Sequence, residues 1–273
     1  MNPLGICTWT LGIDDIATLI EKTKSLELDG IQYCGDVMQQ DPHELRTVAD
    51  AHGMKIFAID PFDCAPSDPQ KATTEAAVAF YRAAIDFAKG CGAPWVTLQG
   101  LPRWTANCPD EHAARERLLD CCRQLEAYAT PLGVRLVYEV CNRYETTMIR
   151  TLAEATQLLD DLGDTRISLI LDSFHMNIDE PDACEAIRQC GDRLASYHIS
   201  DSNRAGIGSG HIDFVKQHRT LRSQGFDGPV MVELVLPHLV PTTPPRNDSE
   251  WAELDEEVRR SVRVWRTLGT STI

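Results

Sequence analysis

The stretch ISLILDSFHMNIDE, residues 167–180, carries the reading of the fold. Its apolar run up to Asp172 is short and shows no helical spacing, which suits a strand buried on both faces, the kind found in parallel sheets. Similar runs bounded by Gly, Pro or Asp occur on both sides of it, separated by longer amphipathic stretches. Strands are expected at residues 5–8, 30–33, 55–59, 95–98, 135–138, 168–171, 196–199 and 230–234. Helices are expected at 13–25, 73–89, 109–129, 152–162, 184–189, 214–224 and 250–268. The third of these opens on Pro-Asp-Glu and should end before Pro131.

Eight strand-helix units in 273 residues fit one α/β domain over residues 1–273, a closed (β/α)8 TIM barrel, better than an open doubly wound sheet. No G-x-G-x-x-G follows the first strand and no G-x-x-x-x-G-K-[ST] occurs, so dinucleotide and P-loop readings lose their support. Residues 237–250, PHLVPTTPPRNDSE, form the one compositional break and read as a long loop between the last strand and the last helix.

The 26 Lys and Arg residues against 41 Asp and Glu leave a net charge of −15. With no basic stripe, the chain is not expected to bind nucleic acid. It has neither a signal-like start nor a membrane-length apolar run, so a soluble, cytoplasmic protein is expected. The ten cysteines lack any C-x-x-C pair and read as reduced, mostly buried thiols.

In a parallel barrel the chemistry sits where the strands end. Strands five to eight end on or near Glu139, Asp172, His198 and Glu233 in succession. One such carboxylate can be a simple helix cap. Three at one barrel mouth repel one another unless a cation lies between them, and His198 adds a nitrogen ligand. Oxygen-rich ligands with one imidazole suit Mn²⁺ first, with Mg²⁺ or Co²⁺ as alternatives and Zn²⁺ still open.

The segments EVCNRYE (139–145), LDSFHMNIDE (171–180), HISDSNR (198–204) and VEL (232–234) resemble the xylose-isomerase-like barrel superfamily, and within it the D-tagatose and D-allulose (psicose) 3-epimerases. The resemblance implies that Glu139, Asp172, His198 and Glu233 bind a divalent metal and that Glu139 and Glu233 double as the catalytic acid/base pair. It places Glu145, His175 and Arg204 on substrate oxygens and Trp104 as a wall against the sugar. The implied activity is that of a metal-dependent carbohydrate epimerase or isomerase, which removes a proton α to a carbonyl and forms an enediolate whose charge the ion offsets.

Two departures bear on substrate: the first strand, GICTWTLG, lacks a Tyr-rich start, and a long loop follows Glu233. The alternative reading is therefore a lyase or epimerase acting on a 3-keto-glycoside, or an enzyme for an inosose-like cyclic ketone. A phosphorylated sugar is a further option, because the Gly-rich run AGIGSG (205–210) could present amides to an anion. The expected partner is a small sugar or keto-sugar. A homo-oligomer or a partner subunit closing the site stays open.

Overall fold

The computed structural model describes residues 2–61 and 64–270. Its strands are β1 (Leu4–Cys7), β2 (Gly30–Tyr33), β3 (Lys55–Ile59), β4 (Trp95–Thr97), β5 (Arg135–Glu139), β6 (Ser168–Asp172), β7 (Leu194–Ile199) and β8 (Val230–Val232). Each pairs in parallel with its neighbour in chain order, and β8 returns to β1, closing the barrel. The helices outside it are α1 (Ile16–Ser25), α2 (Pro42–Ala51), α3 (Thr74–Cys91), α4 (Glu111–Leu132), α5 (Leu152–Leu162), α6 (Ser173–Asp179), α7 (Ala183–Cys190), α8 (Phe214–Ser223) and α9 (Asp248–Thr270).

All eight expected strands are present, with ends shifted by at most two residues. β8 stops at Val232 rather than 234 because its last partner, Ile199, ends β7. Three helical expectations need correction, the first being α6, a seven-residue helix directly after β6 where none is expected from the sequence. The reading named no helix between the second and third strands, where α2 lies; it buries only Leu45 and Ala49, too few for a clear apolar stripe, although Asp41 caps it and Pro42 opens it. And α4 does not stop before Pro131 but runs through it to Leu132. Pro131 sits in the last turn, one residue inside the end, and the left-handed Gly133 then terminates the helix.

The period of two along each strand sorts side chains between two layers. Leu136 and Tyr138 of β5, Leu169 and Leu171 of β6, and Val230 and Val232 of β8 face the helices in one large apolar core. Their alternates face the lumen, where Val137 and Ile170 pack with Ala58 and Trp95, and Met231 packs with Cys7, Trp9 and Phe57. One step further along the same inward rows come Glu139, Asp172 and Glu233. The lumen is tight at its base: a Cβ on Gly30 would lie 2.3 Å from the Lys55 carbonyl oxygen, and one on Gly5 would lie 2.6 Å from Met231 Sδ. All ten cysteines are unpaired and seven are buried. Among the described residues no helix is long and apolar enough to cross a membrane.

Candidate metal centre and active site

Glu139 ends β5, Asp172 ends β6, His198 is the penultimate residue of β7, and Glu233 follows β8 directly. Asp172 and His198 are register partners across β6 and β7, so their side chains leave the sheet together. One potential ligand atom from each of the four lies within 4.8 Å of the others, and all four residues are buried.

Asp172 divides its carboxylate between two tasks. Its Oδ1 accepts from the amides of Phe174 (2.5 Å) and His175 (3.0 Å), capping α6, while Oδ2 faces the Arg204 guanidinium at 2.9 Å. The helix-cap reading and the site reading are both true of this residue. Burial opposes ionisation of Asp172, but Arg204 and His175 outweigh it and lower the pKa well below the usual carboxylate range. His198 Nδ1 lies 2.7 Å from Glu233 Oε2 and 3.1 Å from Glu139 Oε1. Burial alone would depress the imidazole's pKa, yet the two glutamates push it well up. The cluster thus favours positive charge at its centre. Glu139 Oε1, fully buried, has His198 Nδ1 beside it at 3.1 Å but makes no hydrogen bond of regular geometry. Three carboxylates, one imidazole nitrogen and an orphaned acceptor fit a divalent cation with a preference for oxygen.

A chain of amides orients the imidazole. Gln32 Nε2 donates to Asp60 Oδ2 at 2.9 Å, which leaves Gln32 Oε1 facing His198 Nε2 at 3.2 Å. A carbonyl oxygen only accepts, so Nε2 carries the hydrogen and Nδ1 is the nitrogen turned to the carboxylates. Asp60 also accepts from Thr97 Oγ1 and from Gln99 Nε2, each at 2.7 Å, which turns Gln99 Oε1 outward without a partner. The sequence reading missed Asp60 and both glutamines, since none stands in the quoted motifs; a carboxylate directly after the third strand was the available signal.

His175 is oriented in the same way. Asn142 Oδ1 accepts from the Tyr144 amide at 2.8 Å, so its Nδ2 is the atom 2.7 Å from His175 Nδ1 and 3.1 Å from Glu145 Oε1. Nδ1 accepts, and the Nε2 hydrogen points to the side of Glu139, whose Oε1 is 3.8 Å away. These groups open onto a cavity of about 200 Å³ with apolar walls at Trp9, Phe174, Val235 and Pro241 and with Glu145, His175 and Arg204 among its polar lining.

The profile of the family described as xylose isomerase-like TIM barrel matches residues 20–268. The chain belongs to that family. Among curated relatives of this xylose isomerase-like barrel, a D-psicose 3-epimerase of Enterocloster bolteae is 35% identical over 124 residues, 45% of this chain and 41% of the relative. A 3-dehydro-D-guloside 4-epimerase of Escherichia coli is 34% identical over 119 residues, 44% of this chain and 45% of the relative. The matched stretch thus spans less than half of either relative. The crystal structure of D-psicose 3-epimerase with D-tagatose from Clostridium cellulolyticum H10 has a TM-score of 0.81 at 22% identity, covering 97% of this chain and 99% of that one, and so shares the fold.

Within this xylose isomerase-like barrel, two expectations meet a different geometry. Trp104 is not on the cavity. It lies in the 3₁₀ turn Leu101–Thr105, which folds its ring down against Phe80 of α3 at 6.0 Å between centroids. The aromatic on the cavity wall is Trp9, from the 3₁₀ turn after β1, whose indole N–H donates to Glu233 Oε1 at 3.2 Å. The amides of the Gly-rich run are also already engaged: Gly206 donates to Glu257, Ile207 to Ser261 and Gly208 to Asp201. The anion nest that a phosphorylated sugar would use is therefore filled by the protein itself. Arg204 stands at φ +63°, a conformation uncommon for a residue with a side chain, inside the turn closed by its amide on the Asp201 carbonyl.

Proposed function

We propose that this barrel is a carbohydrate epimerase of the ketose 3-epimerase type, dependent on a divalent metal, that moves a proton on a carbon next to a carbonyl. The observation that carries the reading is the convergence of two carboxylates, Glu139 and Glu233, with Asp172 and His198 at the floor of a cavity also lined by His175 and Arg204. A divalent cation held by the four buried groups, Mn²⁺ in first place and Mg²⁺ or Co²⁺ next, supplies positive charge where substrate oxygen gains negative charge, a contribution of several kcal/mol.

Everything else falls to the chain's own residues. Glu139 and Glu233 come from strands on either side of β6 and β7, so each can offer a carboxylate oxygen to a different side of a bound substrate. A base already held in place avoids the entropic cost of encounter. The Trp9 indole N–H holds Glu233 Oε1, and the His175 Nε2 hydrogen and the Arg204 guanidinium are donors for hydroxyl and carbonyl oxygens. Trp9, Phe174, Val235 and Pro241 keep water from the carbon that loses its proton. Removal of the proton by one glutamate and its return by the other inverts that carbon.

The test is turnover of D-psicose, D-tagatose and L-ribulose in deuterated water with the Mn²⁺-loaded protein. Deuterium is expected at the carbon beside the carbonyl, and Glu139→Gln or Glu233→Gln should each abolish its entry even at Mn²⁺ concentrations that saturate the variant's weakened site. Full activity after rigorous chelation, or turnover without deuterium uptake, would remove this reading.

A further inference from the structure

We infer that the substrate carries a second, neutral, sugar-sized group beyond the carbon that reacts, and that the cavity beside the catalytic one is the subsite for it. The inference rests on the epimerase reading above, keeps its proton transfer beside a carbonyl, and extends its substrate from a free ketose to a glycoside bearing a keto group on the reacting ring.

The second cavity, about 510 Å³, lies between the segment from the end of β4 to the start of α4 and the loop joining β5 to α5. It shares Gln99 and Glu145 with the catalytic cavity, so the two are continuous. The inner space of about 200 Å³ suits one sugar ring, and the outer is more than twice that size. A free ketose would leave it unused.

The lining matches a carbohydrate. Polar groups stand at the seam. Asp60 turns the Gln99 amide so that its buried Oε1 has no protein partner, which makes it a preset acceptor for a substrate hydroxyl. Glu145, half exposed, offers a second acceptor there. The outer part is mostly small or apolar, with Pro102, Ala114 and Met148 beside Tyr144. Tyr144 is 81% exposed, an unusual cost for an aromatic ring, yet its backbone is held firmly. Its amide donates to Asn142 Oδ1, and the preceding Arg143 is fixed to Asp179 through both its amide (2.7 Å) and its Nε (2.6 Å). A rigidly mounted, solvent-facing ring at a cavity mouth is a platform for the C–H face of a sugar. Asp110, Glu111 and Glu145 set three negative charges in the lining against Arg103 and Arg143, and Arg143 is already paired with Asp179, so the balance is acidic and a phosphate group is disfavoured.

The experiment compares D-tagatose, methyl 3-keto-β-D-glucopyranoside and 3-ketocellobiose as substrates and, by calorimetry, as ligands of the Mn²⁺-loaded enzyme. The expected result is a preference for 3-ketocellobiose over the methyl glycoside of about tenfold in kcat/KM and in Kd. Tyr144→Ala, which removes the platform, and Ala114→Trp, which fills the cavity, should each bring that ratio close to one. Proton exchange with no preference between the two glycosides, or a preference that both variants leave intact, overturns the subsite while the catalytic reading stands. Discrimination in binding without proton exchange on any of the three supports the subsite and overturns the catalytic reading. Absence of both overturns both.

Discussion

Asp60 touches none of the four ligand groups directly, yet it sets the orientation of the imidazole among them. Its carboxylate holds the Gln32 amide one way round, and that amide holds His198 with Nδ1 toward the glutamates. Replacing Asp60 with Asn introduces an amide that can present a donor to Gln32 Nε2, allowing the glutamine to flip and the imidazole to lose its fixed tautomer. Asp60→Asn is expected to weaken Mn²⁺ binding by about 10- to 100-fold in a calorimetric titration, with far-ultraviolet circular dichroism unchanged. Unaltered affinity would mean that the amide chain does not position His198. At this scale the motifs around Glu139, Asp172, His198 and Glu233 were legible because each stands at the end of an apolar run. Asp60, Gln32 and Trp9 were not, because only the closure of the barrel shows that the ends of the first three strands face the ends of the last four.

The loop from β7 to α8 is built on one carboxylate. Asp201 accepts the amides of Ser202 and Gly208 at 2.8 Å and of Ile212 at 3.1 Å, and so holds the segment that carries Arg204. Burial would raise the pKa of Asp201, but these amides outweigh it and lower it. A carboxyl with a lower pKa in the folded state than in the unfolded one contributes its full stabilisation above the unfolded value, about 4. It loses that stabilisation as pH falls through the folded value. Asp201→Asn should therefore cost about 1–3 kcal/mol at pH 7, read as a lower Tm, and the gap from the unaltered protein should narrow at pH 3. A gap that stays constant with pH would show that the charge on Asp201 does not hold the loop. Local signals served well for some elements, as where Asp110 in the Pro-Asp-Glu start caps α4, and went unread for others, as where Asp41 caps α2. They failed for Trp104, because the fold of a 3₁₀ turn decides whether a rim aromatic faces the cavity or the helix layer.

For the molecule as a whole, the four candidate ligands arrive from four consecutive strands, so a cation bound among them ties half of the barrel together. Anything that binds only the folded state stabilises it, by about 2.7 kcal/mol at a hundred times its Kd. For a chain of this size that is a rise in Tm of about 5–10 °C. Dialysis against a chelator is expected to lower Tm by this amount, addition of Mn²⁺ to restore it, and Glu139→Gln to shrink the response. A Tm indifferent to both treatments would separate the cluster from any metal.

Alternating apolar runs and amphipathic stretches were enough to specify eight parallel strands, their order and the polar residues at their ends, because strand period, helix period and chain punctuation are local properties. Which of those residues share a cavity was settled only by closure. Bringing β8 against β1 carries Trp9 onto Glu233, and setting β3 between β2 and β4 lets Asp60 reach both Gln32 and Gln99. Contacts between residues as far apart as 9 and 233 depend on the curvature and register of the whole sheet, which no window of sequence contains.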